Sequence, residues 1–271
     1  MKPLQVLSLG AGVQSTTMAL MAAHGEITPM PDAAIFADTG WEGQKVMGHL
    51  KFIMGPNVLP FPVHVVSAGN IRDDLVDKVS GKRHRSAALP FFTDPPGMAM
   101  RQCTTEYKIA PIERKCRELM GLKPRQRAPK EVTIIQWIGI STDEITRMKP
   151  ARKDKAWSEH RWPLIELGMN RWDCKQWMKK NGYPEPPKSS CVGCPFHSDA
   201  HWRDMRENQP EEWADAVAID KLIRSKGAMR GMKRGQYMHN SRVPLGEADI
   251  DSLEDKGQYA FDMECEGMCG V

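Results

Sequence analysis

Leu4-Gln5-Val6-Leu7-Ser8-Leu9-Gly10-Ala11-Gly12-Val13-Gln14-Ser15-Thr16-Thr17, residues 4–17, decides the fold. The apolar run 4–9 is a buried strand and Gly10-Ala11-Gly12 breaks it. From Ser15 or Thr16 to His24 the chain is rich in helix formers, and Gly25 is placed to stop them. A strand that runs through small residues into a helix start can cradle an anion. Glycines let the backbone approach, unpaired amides at the helix N-terminus point at phosphate, and Ser15 and Thr16 add hydroxyl donors. No Lys-Ser/Thr follows, so this is not the Walker pattern, and no third glycine stands where the dinucleotide fingerprint needs one. These residues by themselves leave two readings, a phosphate site or a tight turn.

Working outward, strands are expected at residues 33–37, 62–67 and 132–140, with helices at 42–54, 71–79 and 111–119 between them. That alternation predicts an α/β fold, a doubly wound and mainly parallel sheet. Residues 81–100 show no periodicity and read as a long loop. Beyond 140 no further β-run is visible, and helices are expected at 172–180, capped by Asn170 or Asp173, and at 211–225. The expected organisation is a nucleotide-binding α/β core at 1–141 and a helical, loop-rich region at 142–271. The second strand ends in Phe36-Ala37-Asp38-Thr39-Gly40, beside the first loop if the two strands are neighbours. Ligands of open α/β sheets bind at that carboxyl edge, so Asp38 either meets a base or ribose or, like Thr39, caps the next helix.

Composition narrows the class. Charged residues make up 27% of the 271 and mean hydropathy is −0.50, which leaves no apolar run near the roughly 20 residues of a membrane span. No secretory layout opens the chain. A cytoplasmic protein without a membrane partner is therefore expected. Seven cysteines are an odd number for a reducing compartment, so either they are core thiols or some of them hold a metal. Cys191-x-x-Cys194-Pro195 is a tight two-thiol clamp suited to iron–sulfur or zinc. His197 and His201 extend it toward zinc, although two residues between half-sites is far fewer than the usual 12 or so. A redox pair or plain thiols are the third reading, and Cys116 and Cys174, on helices, are expected to be packing thiols. The net charge of +4 is mild, but residues 221–242 hold seven basic side chains and no acid. Shorter basic clusters lie at 81–85 and 147–155. They are either solvated surface or a contact for nucleic acid phosphates.

Gly10-Ala11-Gly12-Val13-Gln14-Ser15 resembles the PP-loop, Ser-Gly-Gly-x-Asp-Ser, of N-type ATP pyrophosphatases and phosphoadenosine phosphosulfate (PAPS) reductases. Asp38-Thr39-Gly40 is similar to the segment that follows it in the reductases. Two positions depart: Gly10 replaces Ser, and Gln14 replaces an Asp whose charge helps place a metal such as magnesium on pyrophosphate. Arg101-Gln102-Cys103-Thr104-Thr105-Glu106-Tyr107-Lys108-Ile109-Ala110-Pro111 and Ser190-Cys191-Val192-Gly193-Cys194-Pro195 resemble the Cys-Cys-x-x-Arg-Lys-x-x-Pro and Cys-x-x-Cys stretches of sulfonucleotide reductases that carry a four-iron cluster. Trp162-Pro163-Leu164-Ile165-Glu166 and the helix after it are similar to that family's middle region, so the resemblance runs in order over about residues 4–202.

The resemblance implies an adenine nucleotide alpha hydrolase-like fold. It also implies an adenine nucleotide, ATP or PAPS, at Ser8, Gly10, Ala11, Gly12, Gln14, Ser15, Thr16, Asp38, Thr39 and Gly40. An iron–sulfur cluster (4Fe-4S) is implied on Cys103, Cys191 and Cys194, with zinc the lesser alternative. Gln102 stands where the other thiolate would be, so the fourth iron is either ligated by Cys269 or Cys265 or left open. Lys108 and Arg147 are the implied cations on phosphate or sulfate. Cys265, in Glu264-Cys265-Glu266-Gly267, is similar to the tail cysteine that attacks the sulfonate in the reductases, and the readings of nucleophile, ligand and bystander all stand. Tyr107 and Ser141 occupy places where the family has Arg. The expected activity is adenylation-dependent sulfur transfer; the alternatives are reduction of PAPS or adenylyl sulfate to sulfite, and nucleotide binding without catalysis.

Overall fold

The computed structural model describes residues 2–82, 89–151, 155–225 and 235–251. Along the chain come β1 (Leu4–Leu9), α1 (Val13–Ala23), β2 (Ala33–Asp38), α2 (Gln44–Ile53), β3 (Val63–Ser67) and α3 (Ile71–Val79). Two short strands follow, β4 (Phe92–Asp94) and β5 (Gly97–Met98). A π-helical turn (Thr104–Ile109) then leads into α4 (Ala110–Leu119) and β6 (Ile134–Trp137). After a 3-10 turn (Thr142–Arg147) come β7 (Ser158–Arg161), α5 (Pro163–Glu166), α6 (Arg171–Lys180), α7 (Asp199–Asn208), α8 (Pro210–Ile223) and β8 (Gly235–Tyr237).

Five strands form one parallel sheet in the order β3-β2-β1-β6-β7. Side chains alternate across β1, so Leu7 and Leu9 face one way and Val6 the other. Leu7 and Leu9 share a core with Trp137 and with α1, α2 and α6, while Val6 packs with Ile35, Ile134 and Cys116 of α4. Helices therefore cover both faces, as the unbroken apolar run of β1 requires. The architecture is α/β and doubly wound. The chain reverses direction between β1 and β6, and the carboxyl edge at that junction is where such sheets bind ligands. A third core joins α3, α7 and α8 through Leu75, Trp202 and Ile219, and it includes Tyr107 and Val192 from the segments that carry the cysteines.

The sequence signal was incomplete at three places. β7, with Ser158-Glu159-His160-Arg161, is a polar edge strand with no apolar run to betray it, yet it pairs with β6. The sheet thus continues past the expected change of character at 141/142, and Leu164 and Cys174 belong to the first core. The stretch read as loop at 81–100 contains β4 and β5, which form an antiparallel sheet with β8. α7 was not expected either; Ser198 caps it through the His201 amide. No described helix is long and apolar enough to cross a membrane. Cys265 and Cys269 lie outside the described residues, as do 83–85 and 226–234 of the basic stretches and 152–154 of the third cluster.

Candidate functional site

The loop after β1 sits at the reversal point. Gly12 is the N-cap of α1 without any side-chain cap, so the first amides of the helix are open to an acceptor. Within the loop, the Gly10 amide donates to Ser15 Oγ (3.1 Å) and the Ser15 hydroxyl lies 3.4 Å from the Gly12 carbonyl. Ala11 is held at φ 57°, a left-handed conformation that a side chain adopts at a cost of about 1–2 kcal/mol. Gly139, just past β6, comes so near that a Cβ there would stand 3.0 Å from the Ser15 amide. The Ser8 hydroxyl is fully buried without a hydrogen-bond partner, and Thr16 Oγ1 lies 3.1 Å from His49 Nε2. His49 is buried under the loop, which lowers its pKa to about 4.

Gln14 stands at the centre of a polar network. Its amide nitrogen donates to Ser141 Oγ (3.3 Å) and Glu144 Oε2 (3.2 Å), and its oxygen accepts from Arg171 Nη1 (3.0 Å). Arg147 pairs with Glu144. Burial pushes the Glu144 carboxyl up, against the pull of Arg147. Arg147 thus reaches the network around Gln14 through Glu144, whose carboxylate counters its charge. The Glu144 carboxylate, from outside the loop, is the acidic group nearest to hand for Gln14.

The second constellation is assembled from four remote segments. After β2, Asp38 Oδ1 accepts from the Gly40 amide (2.7 Å) and closes a turn in which Gly40 has φ +75°. A Cβ on Gly40 would come within 2.8 Å of Asn70, so only glycine fits. The chain beyond is joined to the cysteine clamp by an antiparallel bridge between Glu42 and Cys191 and by the Val192 amide donating to Trp41 O (2.8 Å). Trp41 in turn lies over Gly193, where a Cβ would fall 2.0 Å from its ring.

Thr39 Oγ1 donates to Glu42 Oε1 (2.9 Å) and lies 3.2 Å from Cys191 Sγ. The π-helical turn, whose wider i to i+5 spacing puts Cys103 and Lys108 on one side, delivers Lys108 to the same place. Lys108 Nζ is 3.8 Å from Glu42 Oε1, with both side chains buried at 8% and 3% exposure. Burial acts to lower the Lys108 pKa, but Glu42 and then Cys191, Cys194 and Cys103 outweigh it and hold the ammonium above its usual range. Burial pushes the Cys191 and Cys194 thiols up. Cys103, Cys191, Cys194, Lys108, Thr39 and Arg101 all line one small cavity of about 20 Å³.

Three soft thiols beside a buried cation suit an anionic iron–sulfur group. They suit zinc less, because His197 is spent elsewhere. Its Nε2 faces the carbonyls of Cys191 (3.0 Å) and Val192 (3.1 Å), which can only accept, and its Nδ1 faces Ser190 Oγ. That imidazole braces the clamp from behind and turns no lone pair to the thiols. Among the described residues no three His, Cys, Asp or Glu side chains are gathered as a ready site for a metal ion.

Cys116 and Cys174 are fully buried packing thiols, and burial pushes Cys116 to about 12. Sequence reasoning missed four residues: Glu42, Arg101, Glu144 and Arg171. Glu42 and Arg101 each stand two residues from a residue already singled out, Gly40 and Cys103. Glu144 and Arg171 gave no signal, because only folding brings them to Gln14.

No family model matches the chain, and no curated protein does. Among solved structures the chain is similar to phosphoadenylyl-sulfate (PAPS) reductase from Candida auris in its phosphate complex. The two are 11% identical, over 68% of this chain and 75% of that one, with a TM-score of 0.43. That likeness concerns the fold alone, and the doubly wound architecture stands on the strand order itself.

Proposed function

We propose that the chain is a PP-loop enzyme that uses ATP to adenylate an oxygen-bearing group on an acceptor and delivers sulfur from the three-cysteine site. The observation that carries this reading is that the open amides of α1 and the three thiols lie at one carboxyl edge, with the segment after β2 reaching from the loop to Cys191. The loop amides and Gly139 would hold the nucleotide phosphates, and Arg147 and Arg171 would counter charge as pyrophosphate leaves. Lys108 would offset the charge of thiolates at the cavity. An iron–sulfur cluster held by Cys103, Cys191 and Cys194 would supply a thiophilic metal for sulfur delivery. It needs more room than about one water occupies, so the reading requires the Leu89, Pro90 and Phe196 side of the cavity to move outward on loading.

Two observations favour this over sulfonucleotide reduction. Tyr107 and Ser141, at the places where the resemblance expects Arg, carry no charge and are bonded to Asp74 and Gln14. The acceptor we infer is a nucleic acid, from the seven basic residues without an acid at 221–242. The test is to incubate the anaerobically purified, iron- and sulfide-loaded chain with ATP, magnesium, sulfide and total RNA. AMP and pyrophosphate should form together with thiolated nucleoside. Sulfite released from PAPS in the presence of a thioredoxin, without AMP from ATP, would replace this reading with the reductase.

A further inference from the structure

Of the eight tryptophans, seven are buried or half-buried, and Trp172 is 66% exposed. It stands in the first turn of α6, next to Arg171, whose guanidinium donates to Gln14 of the glycine loop. Two more exposed apolar side chains, Ile145 and Leu167, come from segments tied to this start of the helix. The Arg171 amide donates to Asp143 Oδ1 (3.1 Å) and the Thr142 amide to Met169 O (2.9 Å). Large apolar side chains gathered in water mark a place where something docks.

The rest of α6 says what that is. The helix buries Cys174 and Met178, and helical spacing puts Trp172, Gln176 and Lys179 on the opposite, exposed face with Lys180 at its margin. That face has two lysines and no acid. Asp173, the one carboxylate of the helix, is engaged with Asn170 in the cap, and at the flank Lys175 pairs with Glu185 (2.9 Å). Because the first residue of α6 meets Gln14 while Trp177 donates to Glu26, beyond α1, the helix runs away from the loop. Lys179 is then about 10 Å farther along than Trp172, too far along to serve the phosphates of a nucleotide held on the loop amides.

Resting on the reading of a nucleic acid acceptor, we infer that this face of α6 receives a single-stranded segment of it, with Trp172 stacking an unpaired base and Lys179 and Lys180 meeting phosphates. Lysine is depleted where proteins meet proteins, whereas a nucleic acid strand engages an aromatic ring and ammonium groups together. A duplex keeps its base faces inside its own stack, so the strand must be single.

The experiment follows the fluorescence anisotropy of a labelled single-stranded RNA oligonucleotide on the full chain, over a range of salt. Trp172→Ala should weaken binding about tenfold and Trp172→Phe by much less, because stacking needs a ring. The melting temperature and the affinity for a fluorescent ATP analogue should stay as in wild type. Lys179→Gln/Lys180→Gln should lower the slope of log affinity against log salt by about 0.7 for each lysine on a phosphate. Equal affinity of Trp172→Ala and wild type for the strand would overturn the inference and leave the nucleic acid reading standing. It would also fall if Trp172→Ala lost the ATP analogue rather than the strand, or if duplex binding dropped as much. A wild-type dimer that Trp172→Ala takes apart in sedimentation would put a second copy on this face instead. A wild-type chain that binds no strand would sink the nucleic acid acceptor, and this inference with it.

Discussion

The glycine loop after β1 and the thiol cavity lie at the same edge of one sheet but are built in opposite ways. The loop is a contiguous stretch whose shape follows from its own glycines, and only Gln14 within it ties it to a polar network of neutral and charged side chains, Ser141, Glu144 and Arg171. The cavity is lined by residues from positions 39, 89–90, 101–108 and 190–196, and the Lys108 ammonium and the thiols on its wall are buried together with the neighbouring Glu42 carboxylate. A local network can lose one member and adjust. A buried cluster of charges cannot, because each charge is tolerable only while its partner is present. Substitutions should therefore cost more at the cavity than at the loop.

The largest effect is expected at Lys108. Lys108→Met leaves Glu42 buried without its cation, which should cost about 3–5 kcal/mol in the metal-free protein. Urea unfolding measures this, and the paired variant Lys108→Met/Glu42→Gln should recover most of the loss. Equal instability of the single and double variants would mean that the pair is not coupled, and the contrast between the two regions would lose its basis.

Next is Gly193→Ala. The new Cβ falls 2.0 Å from the Trp41 ring, and Trp41 is itself fixed by its Nε1 donating to Asp215 (2.7 Å). Overpacking against a held ring should cost about 2–3 kcal/mol and displace Cys191 from Glu42. The counterpart at the loop is Gly139→Ala, where the nearest atom is 3.0 Å away and a shift of a few tenths of an ångström relieves the contact. It should cost less than about 1 kcal/mol, as read from the same unfolding curves.

These contrasts also explain what the sequence could convey. The loop and the order of strands were legible because a parallel strand buried on both faces must be an apolar run, and a tight turn from a strand into a helix favours small residues. β7 was not, since an edge strand of Ser, Glu, His and Arg carries no such pattern. Cys103, Lys108, Cys191 and Cys194 were legible through spacing and resemblance, and the structure does bring them to one cavity. Glu42 was not legible as their partner. Its place there depends on the bridge to Cys191, a contact between positions 149 apart. Arg147 was expected to face phosphate, and its pairing with Glu144 could not be foreseen because Glu144 is drawn in by Gln14.

Titration separates the regions as well. His49, under the loop, has its pKa lowered to about 4 from 6.5. The unfolded chain then binds the proton more readily, so this contribution to stability is complete above about pH 6.5 and is lost as pH falls through 4. At most it amounts to roughly 3 kcal/mol. His197, behind the clamp, is shifted in the same direction. The cavity, unlike the loop, adds an alkaline limb, to which the core thiol Cys116 also contributes, because raised thiols favour the folded state up to about pH 9 and cease to as the unfolded thiols ionise. Unfolding curves from pH 4 to 10 on His49→Gln should show a shallower acid limb and an unchanged alkaline one. An alkaline limb that moved with His49 would erase the distinction.

A further small effect concerns the junction that feeds the loop from outside. Asn170 caps α6 through a reciprocal pair of bonds with Asp173, each of 2.9 Å, and Arg171, the first residue of the helix, reaches Gln14. Asn170→Ala should cost about 1 kcal/mol, or about 2–4 °C in melting temperature for a chain of this size. Because the first turn would fray where Arg171 leaves it, binding of a fluorescent ATP analogue should weaken about two- to threefold, while the reactivity of Cys191 toward a thiol probe stays as it was. A loss of stability with unchanged nucleotide affinity would show that the loop holds its shape without Arg171. The network around Gln14 would then be packing rather than part of the phosphate site, and the loop would depend on its own residues even more than the comparison with the cavity requires.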